Sequence, residues 1–146
     1  MAKFTEDQPK LTLEGALQVM AGAEHRATEI GVPMNIAIVD DGGHMVAFVR
    51  MDGAKISSAE IAMVKAHSAA IRRQPTGPYT ENGQMNLVVT LGLMVGSKGR
   101  QTPLRGGIPL YANGKCVGAI GVSNGTEEQD TDVALAGAAA LESFES

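Results

Sequence analysis

Hydrophobic and polar positions follow two periods along this chain, and each change of period marks an element. Leu13, Ala16, Leu17, Met20, Ala23, Ala27 and Ile30 recur at helical spacing, which predicts a helix with one apolar face. Thr12 stands where an N-cap would accept a free first-turn N–H, and Gly31-Val32-Pro33 stops the segment. The pattern then shortens. Residues 35–39 are an apolar run of strand length, Asp40-Asp41-Gly42-Gly43 has turn chemistry, and a second run begins at Met45. Arg50-Met51-Asp52-Gly53 closes this β-hairpin and puts charge just past a strand, where side chains of a sheet protein can converge on a ligand.

Helical spacing resumes after Ser57-Ser58-Ala59-Glu60, a sequence suited to capping a first turn. Ala59, Ala62, Ala66, Ala69 and Ala70 form its small face, which ends near Arg72-Arg73 and Pro75. Pro78, Gly83, Gly92, Gly96 and Gly99 interrupt the next stretch, although residues 85–95 read as a short apolar helix. Asn113-Gly114 between two apolar runs predicts a second hairpin. Ser123-Asn124-Gly125-Thr126 then caps a last helix, with Glu127, Glu128 and Asp130 placed where the helix dipole favours carboxylates. Asp130 and Asp132 read as stabilisers of that helix. The order predicts a single α/β domain of α+β type across residues 1–146, an antiparallel sheet with helices packed on it.

At 146 residues the chain can bury a core without disulfides or a structural metal. A net charge of −4 and the lack of any basic stripe exclude a nucleic-acid partner. The lone Cys116 lies in an apolar run and reads as a buried thiol, so a reducing cytoplasm is the expected location. No apolar stretch of signal or membrane-spanning length is visible, so no membrane partner is expected. With 3% aromatics, no Trp, 18 Gly and 8 Met, the core must be aliphatic and closely approached. Such Ala- and Gly-faced elements suggest completion by self-association.

Three blocks carry a resemblance: GVPMNIAIVDDGGHMVAFVRMDGA, then Lys65-Ala66, then RGGIPLYANGKCVGAIGVSNGTEEQD. In these, over residues 11–141, the chain resembles the GlcG/HbpS family, labelled haem-degrading or haem-binding, which includes the domain appended to PduO-type corrinoid adenosyltransferases. The resemblance implies a profilin-like domain with a central antiparallel sheet, homo-oligomers, and a ligand such as haem or another tetrapyrrole. Some members sit in catabolic operons. The chain departs from the family pattern at Arg105, where a small residue or Pro usually precedes the double glycine, and at His67, where an aromatic is common.

Against that background the candidate residues can be weighed. His25 projects away from the apolar stripe of its helix, and His44 ends a turn, so both read as surface residues. His67 lies two turns after Glu60 on the same stripe. It can be a haem ligand, a general base oriented by Glu60, or a structural pair with it. Arg50 offers a planar fork for a carboxylate, and Lys65 lies off the apolar arc of its helix; each can clamp an anion or form a surface ion pair. Arg105, Gly106 and Gly107 could bring backbone N–H groups to an anion, or serve only as turn geometry. No H-x-x-x-H, C-x-x-C, P-loop, dinucleotide or G-x-S-x-G pattern occurs. Three functions follow: a binder of haem or another anionic tetrapyrrole; a small-molecule enzyme such as an isomerase or hydratase; or a non-catalytic accessory protein of a catabolic operon.

Overall fold

Both hairpins form as read, and they meet edge to edge in one sheet. The structure, a computed structural model, describes residues 3–145. The first hairpin is β1 (Asn35–Asp40) and β2 (Met45–Arg50). Two short strands, β3 (Thr80–Glu81) and β4 (Gln84–Met85), pair separately with each other, and the second large hairpin is β5 (Gly107–Ala112) and β6 (Lys115–Ser123). The main sheet runs β2-β1-β6-β5, antiparallel throughout. Asn113 and Gly114 both take the positive φ that a two-residue hairpin turn requires, at 52° and 77°.

Helices α1 (Leu13–Ile30) and α4 (Glu127–Glu145) cover one face, and α2 (Ser57–Arg72) covers the other. Val19, Met20, Ile36, Ile38, Ile120, Val122 and Val133 fill the larger core. The α2 side is thin because it is built of alanines: Ala62, Ala66, Ala69 and Ala70 lie on Ala37, Val39 and Ala119. Gly121 makes that approach possible, since a Cβ there would overlap the carbonyl oxygen of Ala62 and the backbone N of Ala66. These alanines are therefore consumed by the chain's own fold. They have no exposed area left to offer a partner, so a small-residue face available for self-association must lie elsewhere.

Caps follow the sequence in two cases and depart from it in one. Thr12 Oγ1 accepts from the Gly15 N–H, as expected of an N-cap. Thr126 accepts from the Gln129 N–H while the Gln129 side chain accepts from the Thr126 N–H, a reciprocal capping box. For α2 the serines do not cap; Ile56 occupies that position and no side chain bonds the first turn. Leu13 and Leu17, placed on the apolar face of α1 by spacing, are more than half exposed, and Val19 takes their place inside. The remaining helix, α3 (Leu87–Gly96), starts from an Asn86 cap and buries only Thr90. Among the described residues no helix is long and apolar enough to cross a membrane.

Candidate functional site

The α2 helix carries a half-buried histidine to the turn of the first hairpin. His67 Nδ1 lies 3.1 Å from the carbonyl oxygen of Gly43. A carbonyl only accepts, so Nδ1 is the donor, and in the neutral ring the lone pair is then on Nε2. The turn has room for the ring because residue 43 is a glycine at φ +83°; a Cβ there would fall onto Nδ1 and within 2.8 Å of Cε1. Asp40 holds the turn itself. Its Oδ1 accepts from the N–H groups of Gly42 and His44, at 3.0 and 2.9 Å. Burial pushes the Asp40 carboxyl up, but these two N–H groups and the His44 ring outweigh it and hold the carboxyl below its ordinary value.

His67 faces a cavity of about 650 Å³ between α2, the hairpin turn and the chain from Met94 to Leu104. That is the size of a site for a drug-sized or larger organic ligand. Val39, Ile61, Val64 and Leu104 supply apolar wall, and Met45, Met63 and Met94 supply thioethers. Lys98 and Arg100 put two cations on the rim, and Glu60 one carboxylate. The cationic segment is held in place rather than loose. Gly99 N–H donates to Met94 O at 2.7 Å, closing the end of α3, and Thr102 N–H donates to the buried Ser68 Oγ of α2 at 3.1 Å.

The other residues singled out in the sequence do not all converge here. Glu60 lines the cavity but is exposed, and the hydrogen bond that orients His67 comes from the Gly43 carbonyl instead. Two turns of helix separate the residues, about 10 Å of rise, too far for a direct contact along the helix. Lys65 is not at the edge of an arc: it is 3% exposed, with Nζ 2.8 Å from both Asp130 Oδ2 and Val122 O. The reading of a free or surface lysine is corrected, since α2 turns this position inward and Asp130 reaches it from α4. Asp130 accordingly does more than stabilise its own helix; its Oδ1 accepts from the Gly125 N–H while Oδ2 takes Lys65.

Gly106 and Gly107 are where this tie passes through the chain. A Cβ on Gly106 would sit 3.0 Å from Lys65 Nζ, and one on Gly107 2.7 Å from Thr76 Cγ2. Their N–H and C=O groups serve the fold: Gly107 N–H donates to Thr76 Oγ1, and Gly106 O accepts from Val122 N–H. Arg50 is exposed at the far end of β2 from Met45, about 16 Å along a strand. It does not line the cavity, so one small substrate does not reach both Arg50 and His67. Arg105 lies outside the cavity too, 3.9 Å from Glu127. His25 and His44 are surface residues as read, beside Glu29 and Asp40 respectively. Gly43, Met94, Lys98 and Arg100 were not singled out from the sequence. The visible signal was a Lys-Gly-Arg turn directly after an apolar helix.

Among the described residues no group of three His, Cys, Asp or Glu side chains could hold a bare metal ion. A family model described as haem degrading protein HbpS-like matches residues 11–139. The chain is 37% identical to protein GlcG of Escherichia coli K12 over 115 residues, 77% of this chain and 81% of that one. Among solved structures, protein ORFY of Klebsiella pneumoniae superposes with a TM-score of 0.87 at 33% identity, covering 97% of both chains. A PduOC:heme complex superposes with a TM-score of 0.78 at 29% identity, covering 90% of this chain and 95% of the other.

Proposed function

The chain belongs to the HbpS-like family of haem-degrading proteins, and from that premise we propose that its cavity binds haem or a closely related anionic tetrapyrrole, with His67 as the iron ligand. The observation that carries the reading is the state of the His67 ring. It lines a large, mostly apolar cavity with Nδ1 spent on a backbone carbonyl and Nε2 free, the arrangement in which a histidine binds a metal. The rest of the lining fits the group. The apolar and thioether walls suit a flat macrocycle, and Lys98 and Arg100 suit its carboxylates. Bound haem would supply an iron centre for ligand or redox chemistry. The chain's own contribution is to orient the imidazole, shield the ring face from water and neutralise the carboxylates.

Titration of the full chain with haemin tests this directly. A saturable Soret band is expected, lost or shifted to a different spin state in His67→Phe and unchanged in His25→Ala. If His67→Phe gives the wild-type spectrum, the histidine is filler and the reading fails. A chain that never binds haemin leaves the accessory-protein reading in its place. The isomerase or hydratase reading loses its support from the separation of Arg50 and His67.

Self-association belongs to the same proposal, by the glycine-bearing face of α3. Leu87, Val88, Leu91 and Val95 of α3 are about half or more exposed, and a Cβ built on Gly92 or Gly96 would meet nothing from the rest of the fold within 4 Å. An apolar helix with small residues four apart suits close packing on a second copy. Sedimentation of wild type against Val88→Lys tests it: a wild-type monomer, or a variant of unchanged mass, defeats this assignment.

A further inference from the structure

A second cavity, of about 260 Å³, has the opposite chemistry from the first and shares no lining residue with it. Arg72, at the end of α2, and Arg105, just before the double glycine, both line it. Between them the lining includes Gln74, Thr76, Gly77, Tyr79 and Thr80, which add an amide and three hydroxyls. Among the described residues no carboxylate lines this cavity. Glu127, the acid nearest Arg105, borders a different recess on the α4 side.

The floor of the cavity is rigid. Thr76 is buried and exchanges two hydrogen bonds with Gly107: its N–H donates to Gly107 O at 3.0 Å, and its Oγ1 accepts from Gly107 N–H at 2.9 Å. Tyr79 N–H donates to Thr90 Oγ1 at 3.0 Å, tying the far side to α3. Gly77 has a specific part. A Cβ there would sit 3.1 Å from Arg105 Nη1, so the missing side chain is what lets the guanidinium lie against the backbone. The Arg72 side chain makes no hydrogen bond or ion pair among the described residues, unlike Arg73, which is engaged by the carbonyls of Asp41 and Ala70. Arg72 has no counter-charge among the described residues, and Arg105 has Glu127 at 3.9 Å on its other side, so an anion in the cavity would neutralise Arg72 and share Arg105 with Glu127.

We propose that this cavity is a second ligand site, for the dianionic end of a small molecule, either a phosphate or a dicarboxylate. Guanidinium forks bind both groups in bidentate fashion, the hydroxyls of Thr80 and Tyr79 can donate to the remaining oxygens, and the volume excludes a macrocycle. The site stands apart from the haem proposal, and either can fail alone.

Calorimetric titration of the full chain at low salt, with inorganic phosphate in one arm and succinate in the other, tests the site. One saturable equivalent of either anion is expected, and the tighter arm identifies the source. Arg72→Gln and Arg105→Gln should each weaken it about tenfold or more, as loss of a charged hydrogen bond does. Gly77→Ala should weaken it as well, Glu127→Gln should not weaken it because it frees Arg105 of a competing carboxylate, and the haemin titration should not change in any of these variants. Failure of both anions to saturate, or wild-type affinity in both arginine variants, would overturn the proposal.

Discussion

Gly43→Ala is the substitution that most directly connects the turn to the histidine. Residue 43 sits at φ +83°, where an L side chain costs about 1–2 kcal/mol. The new methyl group would also land on the His67 ring, 2.8 Å from Cε1, so the ring must rotate away and give up its bond to the Gly43 carbonyl. Losing that bond adds about 0.5–1.5 kcal/mol. The sum, about 1.5–3.5 kcal/mol, should lower the melting temperature by about 3–14 °C in a chain of this size. Haem affinity should fall by a larger factor than stability alone explains, because a rotated ring no longer offers Nε2 to the cavity. Gly42→Ala is the control. Its Cβ would approach only the exposed His44 ring, which can swing into solvent, and residue 42 is not at positive φ, so its effect should stay within about 0.5 kcal/mol. Thermal melts and haemin titrations of the two variants side by side decide the matter. Wild-type melting and a wild-type spectrum in Gly43→Ala would refute the account of the ring, and so would equal damage in Gly42→Ala.

Three further outcomes follow from the same structure. Lys65→Met should cost about 3–5 kcal/mol in urea denaturation, because it strands Asp130, which is 3% exposed, without its cation; Lys65→Met with Asp130→Leu should recover much of that loss, and a double variant no better than the single one would contradict the pairing. Asp40 has a folded-state pKa below its ordinary 3.8, so its contribution is present in full above that pH and is lost as pH falls through the folded value. Asp40→Asn should therefore flatten the acid limb of the stability profile, and an unchanged limb would assign the acid sensitivity to other carboxylates. Gly121→Ala should prevent α2 from docking, seen as loss of cooperative unfolding, because the methyl group has only the Ala62 carbonyl and the Ala66 backbone N to move into; a cooperative, wild-type melt would show that the helix can shift.

Local grammar was legible wherever one residue's own chemistry sets the backbone. Asn113-Gly114 and Asp40 to Gly43 are turns because of what those side chains permit, and Thr12 and Thr126 cap because their hydroxyls reach an N–H within the same turn. The two small strands β3 and β4 were not read, since two residues each leave no alternation to detect. Leu13 and Leu17 were misread because spacing defines a stripe without saying how wide the neighbouring helix is; α4 covers Ala16, Val19 and Ala23 and leaves the leucines outside.

Of the candidate site, the sequence by itself offered the group on which the proposal rests: a histidine on the helix after the first hairpin, the one of three not read as a surface residue. It also determined that a glycine turn and a run of alanines would be available near that helix. Tertiary structure alone decided what those groups meet. Gly43 and His67 are 24 positions apart, Ser68 and Thr102 are 34, and Lys65 and Asp130 are 65. A hydrogen bond or an ion pair is a matter of 3 Å, and periodicity carries no distance between elements. Glu60 was the partner expected from the sequence, yet a backbone carbonyl from another element accepts the imidazole hydrogen bond. Lys65 was an exposed cation by helical projection, but the projection cannot know that a second helix brings a carboxylate through the gap left by Gly106. The sequence specifies which contacts each element is able to make, and the packing of two helical layers on one sheet selects which of them form.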